Sequence, residues 1–137
     1  MKQTFDLDAI IYGLLNVPSI TGFITGDVYV GDDRPDDSVC EDIVVNSIDL
    51  SQDYLPQVGT SNVNVYVPDK PRRINGKSQY KACRQRMKSI TQKVVTELRR
   101  AVVSGLKFTI DAQTVLNESE IKQHYVNIRI SWNIQTD

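Results

Sequence analysis

The sequence contains few of the residues from which most catalytic and metal centres are built. It has one histidine, His124, and two cysteines, Cys40 and Cys83, among 137 residues. The cysteines lack metal-ligand spacing, and no motif places a nucleophile or a second histidine near His124. We predict a buried core thiol at Cys83, a solvated loop around Cys40 and a surface or turn position for His124. We therefore expect no enzymatic activity, no cofactor and no bound metal.

Long hydrophobic runs are also absent. The run AIIYGLL is far shorter than the roughly 20 apolar residues that a membrane-spanning helix needs. The first nine residues include two acids and lack the apolar stretch of a signal peptide. The hydrophobic fraction, 40%, is nevertheless typical of globular proteins. These features predict a single domain over residues 1–137 that does not use a membrane as a partner.

Acidic and basic residues are concentrated in different parts of the chain. Residues 1–69 contain twelve acids but only two bases, Lys2 and Arg34. Residues 70–100 contain eleven bases but only one acid, Glu97. The net charge is close to zero, so the two parts can neutralise each other internally or present opposite patches to another molecule.

One long helix is predicted over residues 77–103. Its apolar stripe has the spacing of a helix face and contains Tyr80, Cys83, Met87, Ile90, Val94, Leu98 and Ala101, widened by Val95 and Val102. Ser104 and Gly105 are expected to end the helix, with Gly105 as the C-cap. The opposite face is basic and carries Lys77, Lys81, Arg84, Arg86, Lys88, Lys93, Arg99 and Arg100.

The remaining segments predict a sheet and a second helix. A first helix is expected to begin at Asp6 or Asp8 and to stop before Pro18. Hydrophobic patterning predicts strands at residues 27–30, 42–50, 60–67, 106–115 and 125–135, the last two forming an antiparallel hairpin. Residues 68–76, PDKPRRING, are expected to be a loop. The predicted fold is α+β: a mostly antiparallel sheet of four to five strands with two helices packed on one face.

Two charged segments have more than one interpretation. Asp32, Asp33, Asp36 and Asp37 lie in the loop GDDRPDDS, which can be a solvated loop, a contact for a basic partner or a hard-cation site. The spacing is not that of an EF-hand, and Pro35 stiffens the middle, so the cation site is the weakest of these. The basic helix can be a solvated face, a protein contact or a nucleic-acid footprint.

The order of elements resembles that of the tail terminator (tail completion) proteins of long-tailed phages and prophages. The segments DLDAIIYGLLNVPSITGFI, GDVYVGDDRP, EDIVVNSI, NVNVYVPD and HYVNIRISWNI are similar to successive elements of that family. The resemblance extends over nearly the whole chain as a pattern of elements and lengths. The chain departs from it in the basic loop at 68–76 and in the separation of acids from bases.

This resemblance implies a structural head–tail joining subunit of a virion, made in the host cytoplasm. Such subunits form a homo-oligomeric ring, commonly a hexamer, that caps the tail tube and contacts tail tube and head-completion proteins. A ring needs two different complementary patches on each copy. We expect acids of one subunit to meet bases of the next; the candidates are Asp32, Asp33, Asp36, Asp37, Arg72, Arg73, Arg84 and Arg86.

The alternative is a nucleic-acid-associated binding module that uses the basic helix 77–103. Few aromatic side chains accompany these bases, and the acidic first half would repel phosphate. Contact with nucleic acid is therefore not favoured. A salt-dependent shift of duplex DNA would distinguish this function from ring assembly.

Overall fold

The computed structural model describes residues 1–101 and 106–136. The helices are α1 (Thr4–Leu15), α2 (Pro18–Thr21) and α3 (Arg84–Arg100), and a 3₁₀ turn covers Ser119–Ile121. The strands are β1 (Val28–Val30), β2 (Asp42–Leu50), β3 (Gln57–Pro68), β4 (Lys70–Ile74), β5 (Lys77–Lys81), β6 (Leu106–Glu118) and β7 (Gln123–Ile134). None of the helices in these residues is long and apolar enough to cross a membrane.

Five strands form the main sheet in the order β1-β2-β3-β7-β6. The β1–β2 pair is parallel and the other three pairs are antiparallel. Strands β4 and β5 form a separate two-stranded sheet. The α+β fold with a mostly antiparallel sheet is thereby confirmed, since α1 and α3 pack their apolar side chains on one face of it.

Alternation along the strands separates a buried face from an open face. Val63, Val65 and Ile128 point towards the helices and are fully buried. From the helices, Leu7, Ile11 and Leu15 of α1 and Met87, Ile90, Val94 and Leu98 of α3 complete the core. The first helix and the β6–β7 hairpin were both predicted. However, α1 begins at Thr4 and not at Asp6 or Asp8, and β6 continues to Glu118 and does not end at Val115.

The predicted start of the long helix was wrong. Residues Lys77–Lys81 form strand β5, and α3 begins at Arg84. The expected loop at 68–76 was wrong for the same reason, because Lys70–Ile74 forms strand β4 against β5. Asn75 and Gly76 both have positive φ angles, 51° and 76°, as the tight turn of a hairpin requires.

Tyr80 does not belong to the apolar helix face either, since it lies on β5 and is 49% exposed. Cys83 directly precedes α3 and is partly buried against the core. At the other end, the helix closes at Arg100 with Ala101 as its C-cap. The predictions for Val102, Ser104 and Gly105 lie outside the described residues.

Candidate subunit interface

The acidic loop, residues 31–38, presents its four aspartates to solvent. Asp32, Asp33, Asp36 and Asp37 are all exposed. Arg34, the only base of the loop, points inward instead. Its Nε donates to Asp42 Oδ2 at 2.8 Å and its Nη2 to Gln123 Oε1 at 2.8 Å. Arg34 is therefore bound to Asp42 and Gln123 and does not neutralise the loop aspartates.

A buried polar network fixes the root of the acidic loop. The Asp42 side chain, fully buried, accepts hydrogen bonds from Ser38 Oγ at 2.5 Å and from the Asp27 amide at 2.9 Å. Gln123 Nε2 donates to the Ser38 carbonyl at 2.7 Å. Gly26 is required here, because a Cβ at that position would lie 1.8 Å from Asp42 Oδ1. Arg34 in the middle of the loop and Ser38 at its end are thus both anchored to β2 and β7.

The acidic loop lies at the open face of the sheet. The pairing of β2, β3 and β7 aligns Asp42, Tyr66 and Tyr125 in one row on the face away from the helices. The Arg34 guanidinium stacks 4.2 Å from the centre of the Tyr66 ring. Tyr66 in turn stacks on Tyr125, with ring centres 4.8 Å apart, and burial raises the pKa of the Tyr66 hydroxyl.

The four aspartates do not form a cation site in the described part of the chain. Among those residues, no three His, Cys, Asp or Glu side chains are grouped closely enough to hold a metal ion.

The basic arm, residues 70–81, is the hairpin of β4 and β5. All five of its bases are exposed: Lys70, Arg72, Arg73, Lys77 and Lys81. None of them forms an ion pair with an acid in residues 1–101 or 106–136. The arm touches the body where the Lys122 ammonium lies 4.2 Å from the centre of the Tyr80 ring. Arg72 and Arg73 are therefore free to meet acids of another molecule.

Arg86 differs from the other interface candidates because its own chain already binds it. Its Nε donates to Glu41 Oε2 at 2.7 Å and its Nη2 donates to Glu41 Oε1 at 2.8 Å, so the two side chains form a bidentate salt bridge. The guanidinium also donates to the Phe23 carbonyl and stacks 4.2 Å from the Phe23 ring. The hydrogen bond from Arg86 lowers the pKa of Glu41. Arg86 is thus a structural residue and is not available as an interface base.

The other bases of α3 divide into occupied and unoccupied side chains. Arg100 pairs with Glu97 at 3.2 Å, and Lys93 lies 4.5 Å from the centre of the Phe23 ring. Arg84, Lys88 and Arg99 are exposed and have no ion-pair partner in the described residues. Of the eight interface candidates, seven therefore remain exposed. The acids and bases among them form no salt bridge with one another in this chain.

His124 has a carboxylate partner that sequence reasoning missed. Its Nδ1 lies 2.6 Å from Asp69 Oδ1, and the Asp69 side chain is 5% exposed. The two residues are 55 positions apart, so no spacing motif could reveal the pair. His124 lies in strand β7, not in a turn, and neither of the two described clefts is lined by it. The pair ties the start of the basic arm to β7.

No protein-family model matches this chain, and no curated protein sequence is significantly similar to it.

Proposed function

We propose that the chain is a structural, non-enzymatic virion subunit of a phage or prophage. In this role it is a tail terminator or head–tail joining protein that assembles into a ring and caps the tail tube. Its partners are then further copies of itself, the tail tube and head-completion proteins. The order of elements, which resembles that of the tail terminator family, supplies the link to phages.

The observation that carries the proposal is the unneutralised charge on two separate surfaces of one chain. Four exposed aspartates occupy the acidic loop, while Arg72, Arg73 and Arg84 are exposed without an acidic partner in the described residues. Two different complementary patches give a heterologous contact, which closes into a ring when the rotation between copies permits. Opposite charges of this kind set encounter rate and register.

Sizing at two salt concentrations tests the self-assembly. At about 10 mM salt, where charges act over about 30 Å, the protein should elute as an oligomer and show rings in negative-stain images. At about 1 M salt, where the range is about 3 Å, it should dissociate at least partly. A protein that is monomeric at high concentration and low salt would contradict the proposal.

The basic arm favours DNA binding as the second candidate. Five exposed bases without a single acid lie on one hairpin, and such a cluster attracts phosphate by counterion release. Titration of labelled duplex DNA should then give a shift that weakens steeply with salt. Replacing both Arg72 and Arg73 by Glu should abolish the shift. Rings without a DNA shift favour the virion subunit, and a DNA shift without rings favours this alternative.

A further inference from the structure

A cleft of about 760 Å³ lies between α3 and the C-terminal half of β6. Its helical wall extends from Arg84 to Arg99, which is about 22 Å at 1.5 Å per residue. That length holds roughly seven residues of extended chain. The described residues that line the cleft include Arg84, Lys88 and Arg99 but no acid. The cleft is therefore sized for a peptide segment and carries positive charge along its rim.

A β-bulge creates the sheet side of this cleft. The pairing of β6 with β7 shifts between Ile110 and Ala112, so that Gln113 and Val115 turn towards the helix side. Helix α3 does not cover them, and Val115 is 48% exposed although its partner Val126 is buried. Among the described strands, β6 pairs only with β7, so its outer edge is open beside the cleft.

The acidic loop of another copy fits the cleft in charge and in apolar character. Asp36 and Asp37 are exposed, and Val39, which directly follows the loop, is 76% exposed. The cleft offers cations on its rim and an apolar wall that includes Val95 and Val115. Aspartates can face the cations while Val39 packs on the wall.

The loop of one chain cannot occupy the cleft of the same chain. The loop is anchored over Tyr66 on the open face of the sheet, whereas the cleft lies under α3 on the helix face. The occupant of the cleft, if it is this loop, must therefore come from a second copy.

We propose that the cleft between α3 and β6 receives the acidic loop of the next copy in the ring. Asp36 and Asp37 then face Arg84 and Lys88, and Val39 packs on the apolar wall. This inference rests on the proposed self-assembly. It assigns the surface that receives the acidic loop to the cleft and not to the basic arm. Because the loop and the cleft are different surfaces, each copy uses both of them and the contact is heterologous.

Two variants with the same charge change distinguish the cleft from the arm. The cleft variant, Arg84→Glu with Lys88→Glu, reverses the sign of two charges at the cleft. The arm variant, Arg72→Glu with Arg73→Glu, reverses the sign of two charges on the basic arm. Sedimentation velocity of the full chain at about 10 mM salt measures association. The cleft variant should be monomeric, while the arm variant should assemble like the wild type. Circular dichroism of both variants checks that exposed substitutions leave the fold intact.

Mixing tests the partner surface directly. A loop variant, Asp36→Lys with Asp37→Lys, should be monomeric alone, as should the cleft variant. Mixed in equal amounts, the two should associate, because the lysines of one variant meet the glutamates of the other. Each variant alone, at the same total concentration as the mixture, serves as the matched control and should remain monomeric.

The results also separate this inference from the proposed function. If the arm variant dissociates and the cleft variant does not, the loop docks on the arm and the cleft assignment is overturned, although ring assembly stands. Failure of the mixed variants to associate would overturn it as well. A wild-type monomer under all conditions overturns both proposals together.

Discussion

At the scale of single residues, the Arg86–Glu41 pair connects α3 to the start of β2. Glu41 is nearly buried and also accepts a hydrogen bond from the Thr25 amide at 3.2 Å. Removing one partner of a buried ion pair leaves the other charged and unpaired, which is strongly destabilising. This pair therefore stabilises the packing of the helix against the segment that precedes the acidic loop.

We predict that Glu41→Gln lowers the free energy of unfolding by about 2–3 kcal/mol at neutral pH. The value lies below the range for fully buried pairs because the Arg86 side chain is 33% exposed. Urea unfolding followed by the fluorescence of Trp132, the only tryptophan, measures it. Glu97→Gln is the matched control: Arg100, its partner, is 72% exposed, so the loss should stay below about 1 kcal/mol.

The effect of Glu41→Gln should depend on pH. The hydrogen bond from Arg86 holds the pKa of Glu41 below its ordinary value of 4.5. The stabilisation is therefore present above that ordinary value and is lost as pH falls through the lowered pKa of the folded state. Wild type and variant should differ fully at about pH 7 and converge at acid pH. A difference that is constant down to acid pH would show that the charge of Glu41 is not the cause.

Residue-scale pairing could not be predicted from the sequence. All eight bases of residues 77–103 looked equivalent on a basic helix face, yet Arg86 is an internal residue. Its partner Glu41 is 45 positions away and belongs to the acidic part of the chain. Charge patterning identifies which segments are acidic or basic, whereas three-dimensional packing decides which single base is neutralised.

At the scale of elements, periodicity predicted the main sheet and the first helix but misassigned the basic arm. In β3 and β7 the alternation of apolar and polar side chains matches the alternation of burial, and the continuous apolar run Ile43–Val45 marks β2. Tyr80 and Cys83 have the spacing of the apolar residues of α3, so the segment before the helix was assigned to it and strand β5 was not recognised. The Asn75-Gly76 dipeptide was the available signal for the hairpin, and Pro71 is tolerated because the arm has no central strand.

The basic arm should open more readily than the main sheet. Isolated two-stranded hairpins are only marginally stable, and this one packs mainly on itself. Hydrogen exchange at about 1 M salt, where assembly is suppressed, should show amides of β4 and β5 exchanging about two orders of magnitude faster than those of β3 and β7. Equal protection of the arm and the central strands would contradict this expectation.

At the scale of the whole molecule, the fold places the acidic loop and the bases of the cleft on opposite faces of the sheet. The acidic loop is anchored on the open face by Arg34 and Asp42, while Arg84 and Lys88 belong to a helix on the other face. The acidic and basic segments could be taken from the sequence, and seven of the eight predicted interface residues are exposed. The cleft could not, because it depends on a β-bulge and on how far α3 extends over β6.

We propose that copies of this chain join through two different surfaces into a closed ring. Native mass spectrometry from a solution of low ionic strength can test this assembly. A closed ring should give one dominant species whose mass is a single whole multiple, greater than one, of the 15.5 kDa chain. A spectrum that contains only the monomer, or a ladder of masses without a preferred size, would contradict it.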